Sequence, residues 1–197
     1  VSDGRWNHNT HYHPLALRFA PRARTALDVG CGEGLLTRRL RAAGVGAVTG
    51  VDVDADQIAL ARERADDDGL RYVVGDVLDV LDGERFDLVT CVATLHHLDL
   101  HAGLRRLADL TAPGGHLVVV GLAGVRTPVD AALSLAAVPV AAVVDRTRGT
   151  WDHGSPVADP REGYGEVRAA ARDALPGVRW RRHLYWRYSL TWQAPSD

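Results

Sequence analysis

The stretch Asp28-Val29-Gly30-Cys31-Gly32-Glu33-Gly34 couples an acid to three glycines at alternate positions. Such glycines let a chain turn tightly and bring backbone N–H groups against a ligand at the start of a helix. A side chain at Gly30 or Gly32 is expected to fill that ligand's space. The nicotinamide or flavin spacing G-x-G-x-x-G would need its third glycine at position 35, which is Leu35. Two more acids, Asp52 and Asp76, each follow a β-rich run. His96 and His97 supply imidazole, the natural general base near neutral pH. Adjacent histidines on a helical turn point about 100° apart, so at most one of them is expected to face a substrate. His8, His11 and His13 offer nitrogen ligands without a nearby acid, so no metal is expected there.

The elements that must position these residues alternate. Residues 25–30, 46–51, 70–74, 86–92 and 116–122 read as strands. Helical periods separate them. Leu35, Leu36, Leu40 and Ala43 recur at helical spacing until Gly44 stops the run. Ile58, Ala61 and Ala65 line a second helix that opens on Asp54 with Gln57 three residues later. A third spans 100–112 and stops at Pro113-Gly114-Gly115. Alternation at this pitch predicts a parallel sheet with helices on both faces. Thr127-Pro128 then opens an Ala/Val-rich helix reaching about residue 144, kinked at Pro139. A polar loop covers 146–160, and Asp159-Pro160 caps a helix running to Leu175. Residues 178–184 and 186–193 close the chain as an antiparallel hairpin. Its arginines, Arg179, Arg181, Arg182 and Arg187, are expected on a solvated edge.

Composition excludes several classes. The 197 residues are 46% hydrophobic and 24% charged, with a formal net charge of -2, which suits one domain with a full core. That balance does not suit a nucleic-acid binder or a polybasic membrane-surface protein. All 23 basic residues are Arg, so Schiff-base lysines, pyridoxal-phosphate chemistry and a lysine phosphate loop are out. Two cysteines cannot hold an iron–sulfur cluster or a disulfide framework, which points to a reducing cytoplasm. The longest apolar stretch, 131–144, is broken by Ser134 and Pro139 and is too short to span a bilayer.

With an acid two residues before the first glycine, the G-x-G-x-G spacing resembles motif I of the class I S-adenosylmethionine-dependent methyltransferases, small-molecule branch. Phe86-Asp87-Leu88-Val89-Thr90-Cys91, the following Leu95-His96-His97-Leu98, and Pro113-Gly114-Gly115 resemble later motifs in order. The resemblance covers about residues 26–122 closely. It implies a Rossmann-like, doubly wound α/β sheet of seven strands, mostly parallel with a C-terminal antiparallel hairpin.

It also implies roles. Asp28 would stand beside the cofactor's amino-acid end, Asp52 would accept from both ribose hydroxyls, and Asp76 would accept from the adenine amine. Gly30, Cys31, Gly32, Val53 and Val77 would complete the binding set, with Cys91 lending its carbonyl. Residues 1–24 would cover the cofactor in front of a domain spanning 25–197, where Tyr12, His11 or His8 could contact the cofactor's carboxylate or the acceptor. Residues 125–165 would form a lid or insert. The implied reaction is methyl transfer to oxygen, nitrogen or carbon of a small molecule, yielding S-adenosylhomocysteine, with His96, His97 or His11 as base. Natural-product tailoring is one setting for it. No metal, nucleic acid or membrane is expected, and the chain would be a monomer or homodimer. Two rivals keep the motifs: a cofactor-retaining cyclisation or rearrangement enzyme, and a non-catalytic scaffold.

Overall fold

The computed structural model describes residues 8–128, 130, 160–183 and 186–196. Five strands alternate with helices: β1 (Thr25–Val29), α2 (Leu35–Ala42), β2 (Ala47–Asp52), α3 (Ala55–Glu63), β3 (Leu70–Val74), β4 (Phe86–Val92), α4 (Leu100–Asp109) and β5 (Thr111–Leu122). A short helix α1 (His13–Leu17) precedes them. Helix α5 (Tyr164–Ala174), β6 (Arg179–Arg182) and β7 (Arg187–Gln193) follow. The sheet runs in the order β3-β2-β1-β4-β5-β7-β6. Strands β1 to β5 pair in parallel, whereas β7 is antiparallel to both β5 and β6. This is the expected seven-stranded class. Order reverses between β1 and β4, the crevice where open α/β sheets bind ligands beyond their strand ends.

Both faces of the sheet are covered. Leu27, Val89, Leu117 and Val119 pack with Leu104 and Leu107 of α4 and Val167 and Ala171 of α5. On the other face Ala26, Leu88 and Val118 meet Leu36 and Leu40 of α2 and Ala16 of α1. Such alternation along strands buried on both sides follows from the two-residue period of the β pleat.

Local chemistry sets the ends of the elements. The Asp54 carboxylate accepts from the N–H groups of Asp56 and Gln57, capping α3 as the sequence predicts. Thr127 and Asp130 exchange hydrogen bonds in a capping pattern around Pro128. The remainder of that expected helix, and the polar loop after it, lie outside the described residues.

Two boundaries differ from expectation. Strand β5 begins at Thr111, before the Pro-Gly-Gly turn, because Phe86 pairs with Thr111 across an irregularity in the ladder. Gly114 absorbs the bend at φ +73°. Helix α5 starts at Tyr164, where the Glu166 carboxylate accepts from the Gly163 N–H at 2.7 Å.

Among the described residues no helix is long and apolar enough to cross a membrane. Nor are three His, Cys, Asp or Glu side chains grouped as metal ligands among them.

Candidate functional site

A cavity of about 660 Å³ opens at the carboxyl ends of β1, β2 and β4. Its size falls within the range of small-molecule sites, about 300–1,000 Å³. The first wall is the turn after β1. Gly30, Gly32 and Gly34 all take left-handed backbone conformations, with φ of +69°, +51° and +77°. They differ in their surroundings. A Cβ on Gly30 would overlap the Thr94 side chain, and one on Gly34 would overlap the Tyr72 ring. A Cβ on Gly32 would meet nothing nearer than Gln57 Oε1 at 3.7 Å. Only Gly32 therefore leaves room for a ligand. Gly30, expected to do the same, is required by packing.

The acids of this half are fixed by neighbouring donors. Asp28 is 2% exposed and accepts from the Thr37 and Thr90 hydroxyls at 2.8 and 2.9 Å. Burial raises its pKa to about 6, against the lowering effect of those hydroxyls. Asp52 accepts from the Gly32 N–H at 2.8 Å and the Asp54 N–H at 3.0 Å, one on each oxygen. A carboxylate offers about four lone-pair positions, so two backbone bonds orient it and leave capacity for a diol. Asp76 Oδ1 accepts from the Leu78 N–H at 2.9 Å. Exposed Val53 and buried Val77 also line the cavity, as does Cys31, whose thiol pKa burial raises.

The second half lies beyond β4. Ala93 has φ +55°, a strained conformation for a residue with a Cβ, and the chain then turns into the short 3-10 helix Leu95–His97. The His96 and His97 rings lie 4.1 Å apart, and both residues line the cavity. His97 is exposed, whereas His96 has its Nδ1 buried with no hydrogen-bond partner among the described residues. Burial, then the neighbouring His97 and Arg187 charges, push the His96 pKa down to about 4. The imidazole is therefore held in its neutral form, which can accept a hydrogen bond.

Four expected residues sit elsewhere. Cys91 belongs to the core, fully buried, with burial pushing its thiol up to about 12. Its backbone pairs with Val29 and Val119 in the ladder. Tyr12 is buried outside the cavity lining, its ring against those of His11 and His183. His11 and His8 are likewise outside the lining. From the N-terminal segment, Asn9, Thr10 and His13 reach the wall instead.

Sequence reasoning also missed Thr94, Leu122 and Arg187 on the wall. Arg187 was expected on a solvated edge but is 7% exposed. The reason is strand order: β6 takes the edge and β7 lies between it and β5. A short hydrogen bond joins the Arg187 guanidinium to Asn9 Oδ1. Arg182 is committed to Asp130 at 2.7 Å and stacks 3.8 Å over the Tyr164 ring.

The strand order shows the fold class, and the comparisons give the family. Residues 27–119 match the methyltransferase-domain family. Across 98% of this chain the sequence is 37% identical to an uncharacterized methyltransferase of Mycobacterium tuberculosis, covering 99% of that protein. The chain belongs to the class I S-adenosylmethionine-dependent methyltransferases.

It is also similar to the dTDP-3-amino-3,6-dideoxy-alpha-D-glucopyranose N,N-dimethyltransferase of Streptomyces fradiae. That match is 40% identical over 110 residues, covering 53% of this chain and 42% of the other. In fold it matches the N-methyltransferase NodS from Bradyrhizobium japonicum in complex with S-adenosyl-l-homocysteine. The TM-score is 0.65 at 19% identity, over 95% of this chain and 87% of that one.

Proposed function

We propose that this enzyme methylates a small-molecule acceptor, with the cofactor along the acids of β1 to β3 and the acceptor beside Thr94, His96 and His97. One observation carries the reading. A single cavity runs from Asp52 and Asp76, past the Gly30–Gly32 turn and Asp28, to the two histidines. The residues fit the cofactor: Gly32 leaves space where a Cβ would otherwise project, and Asp52 is oriented by two backbone donors. When bound, S-adenosylmethionine supplies a sulfonium-activated methyl group.

The roles assigned to the chain follow from that arrangement. Asp52 binds the ribose hydroxyls, and Asp76 accepts from the adenine amine between the apolar flanks of Val53 and Val77. Asp28 meets the ammonium of the amino-acid end. Asn9, Thr10 and His13 help the N-terminal segment cover the site. His96 and His97 stand at the acceptor end. There His96, neutral but weakly basic, accepts a hydrogen bond from an oxygen acceptor, and the exposed His97 is the better-placed base. Holding the reacting groups in line provides most of the remaining rate. The similarity to a sugar-nucleotide N,N-dimethyltransferase supports a small-molecule acceptor.

The test is acceptor-dependent formation of S-adenosylhomocysteine from S-adenosylmethionine across a panel of phenols, amines and activated carbon acids. Stoichiometric product and methylated acceptor support the reading. A rearranged acceptor with the cofactor left intact would replace it with cofactor-retaining chemistry.

A further inference from the structure

Away from the cavity, positive charge gathers on one face of the sheet. Arg179 and Arg181 of β6 are exposed, whereas the alternate residues Trp180 and Arg182 turn toward Tyr164 of α5. Alternation along the strand therefore puts Arg179 and Arg181 together on the opposite face, roughly 7 Å apart. Thr191 of β7 stands opposite Arg179, and Val118 of β5 opposite Thr191. Arg18, just after α1, reaches the same place and donates to Thr191 Oγ1 at 3.3 Å. Its guanidinium lies 4.7 Å from the centre of the Phe19 ring, which in turn packs 4.5 Å from the His116 ring. Burial, then the charges of Arg22 and Arg18, lower the His116 pKa, which brings Arg22 into the group. Arg18, Arg22, Arg179 and Arg181 are all exposed, and none is ion-paired among the described residues. A chain whose formal net charge is -2 thus carries one cationic face.

We propose that this face is a docking surface for an extended acidic segment of a partner protein, which adds along β6 and sets its carboxylates on Arg179 and Arg181. Strand β6 ends the sheet order, so its outer side offers backbone donors and acceptors to an added strand. Acids at alternate positions of an extended chain repeat at the same roughly 7 Å as the two arginines. Arg18 and Arg22 add attraction that steers the segment in. Other anionic partners fit less well. A bilayer takes up apolar side chains, and none of the exposed large apolar residues belongs to α1, β5, β6 or β7. A single-stranded nucleic acid stacks its bases on open aromatic faces, and Phe19 is half-buried and covered by Arg18. A second copy paired edge to edge through β6 would set arginine against arginine.

The experiment measures, by fluorescence anisotropy in about 20 mM salt, binding of a labelled octapeptide in which glutamate and threonine alternate. Its controls are the isomer with contiguous glutamates and the fully N-methylated alternating peptide, which keeps the charge but cannot pair. The alternating peptide should bind about tenfold tighter than the N-methylated form and about threefold or more tighter than the isomer. Its affinity should fall about tenfold at 0.2 M salt. The double variant Arg179→Gln/Arg181→Gln should bind it about tenfold or more weakly, with S-adenosylhomocysteine affinity within about twofold of the native chain.

No saturable binding of the alternating peptide up to about 1 mM overturns the proposal, as does equal binding of its N-methylated form or of the isomer. Unaltered binding by the double variant overturns the assignment to Arg179 and Arg181. Tighter binding of a uridine oligonucleotide or of phosphatidylglycerol vesicles than of the peptide would replace the partner with a nucleic acid or a membrane. If the double variant does not fold, the peptide comparisons on the native chain still decide.

Discussion

The two halves of the cavity are built differently. The half along β1 to β3 draws its residues from strand ends and the turns that follow them, and backbone N–H groups hold Asp52 and Asp76 in place. The other half gathers Asn9, Thr94, His96, Leu122 and Arg187 from segments far apart in the chain, through side-chain contacts. On the proposed reading, turns at strand ends serve the cofactor, and side chains drawn from separate segments serve the acceptor. The family match follows that division only in part, since it includes Thr94 and His96. The family match covers 27–119 and ends before Leu122 and Arg187.

The contrast can be broken hardest at the glycines. Gly30→Val must overlap Thr94 and force a left-handed backbone on a β-branched residue. Together these cost about 3–5 kcal/mol in urea denaturation, with cofactor binding lost as well. Gly32→Ala has room for its Cβ, so it costs only about 1–2 kcal/mol of strain while still blocking the cofactor. Equal stability losses would show that the two glycines share one role.

Asp28 sharpens the comparison through pH. Its folded pKa is raised from 3.8 to about 6, so its contribution to stability is present below pH about 4 and lost as pH rises through 6. The stability of the native chain relative to Asp28→Asn should fall by roughly 3 kcal/mol over that window, read as urea midpoints at a series of pH values. Parallel curves for the two proteins would contradict this. Affinity for S-adenosylhomocysteine should rise over the same window in the native chain and stay flat in Asp28→Asn.

The smallest expected effect lies beside the histidine turn. Asp99 caps α4, accepting from the Ala102 N–H at 2.8 Å. Asp99→Ala should cost about 1 kcal/mol of stability and leave cofactor affinity unchanged. A larger loss of cofactor affinity would mean that α4 and the cofactor half are coupled.

What the sequence made legible follows the same line. The limits of β1 to β4 match expectation to within a residue, because each is a short apolar run bounded by turn residues. Asp28, Asp52 and Asp76 fall on the cavity wall because a strand end fixes where its next residue points. Cys91 and Tyr12 were harder. Strand periodicity does not say how far a ladder continues past the crevice, and aromatic density does not say which face packs inward. Arg187 was hidden by the hairpin itself, since its pattern does not reveal which of the two strands joins β5. The Pro-Gly-Gly signal marked a turn, yet pairing of Phe86 with Thr111 carried β5 through it.

The most direct test of the account is calorimetric titration of S-adenosylhomocysteine into the native chain and into Asp52→Ala. With two backbone donors orienting the carboxylate toward a diol, the substitution should weaken binding by about 1.5–3 kcal/mol, roughly 10- to 150-fold. Unchanged affinity in a variant that remains folded would contradict the assignment of this cavity to the cofactor.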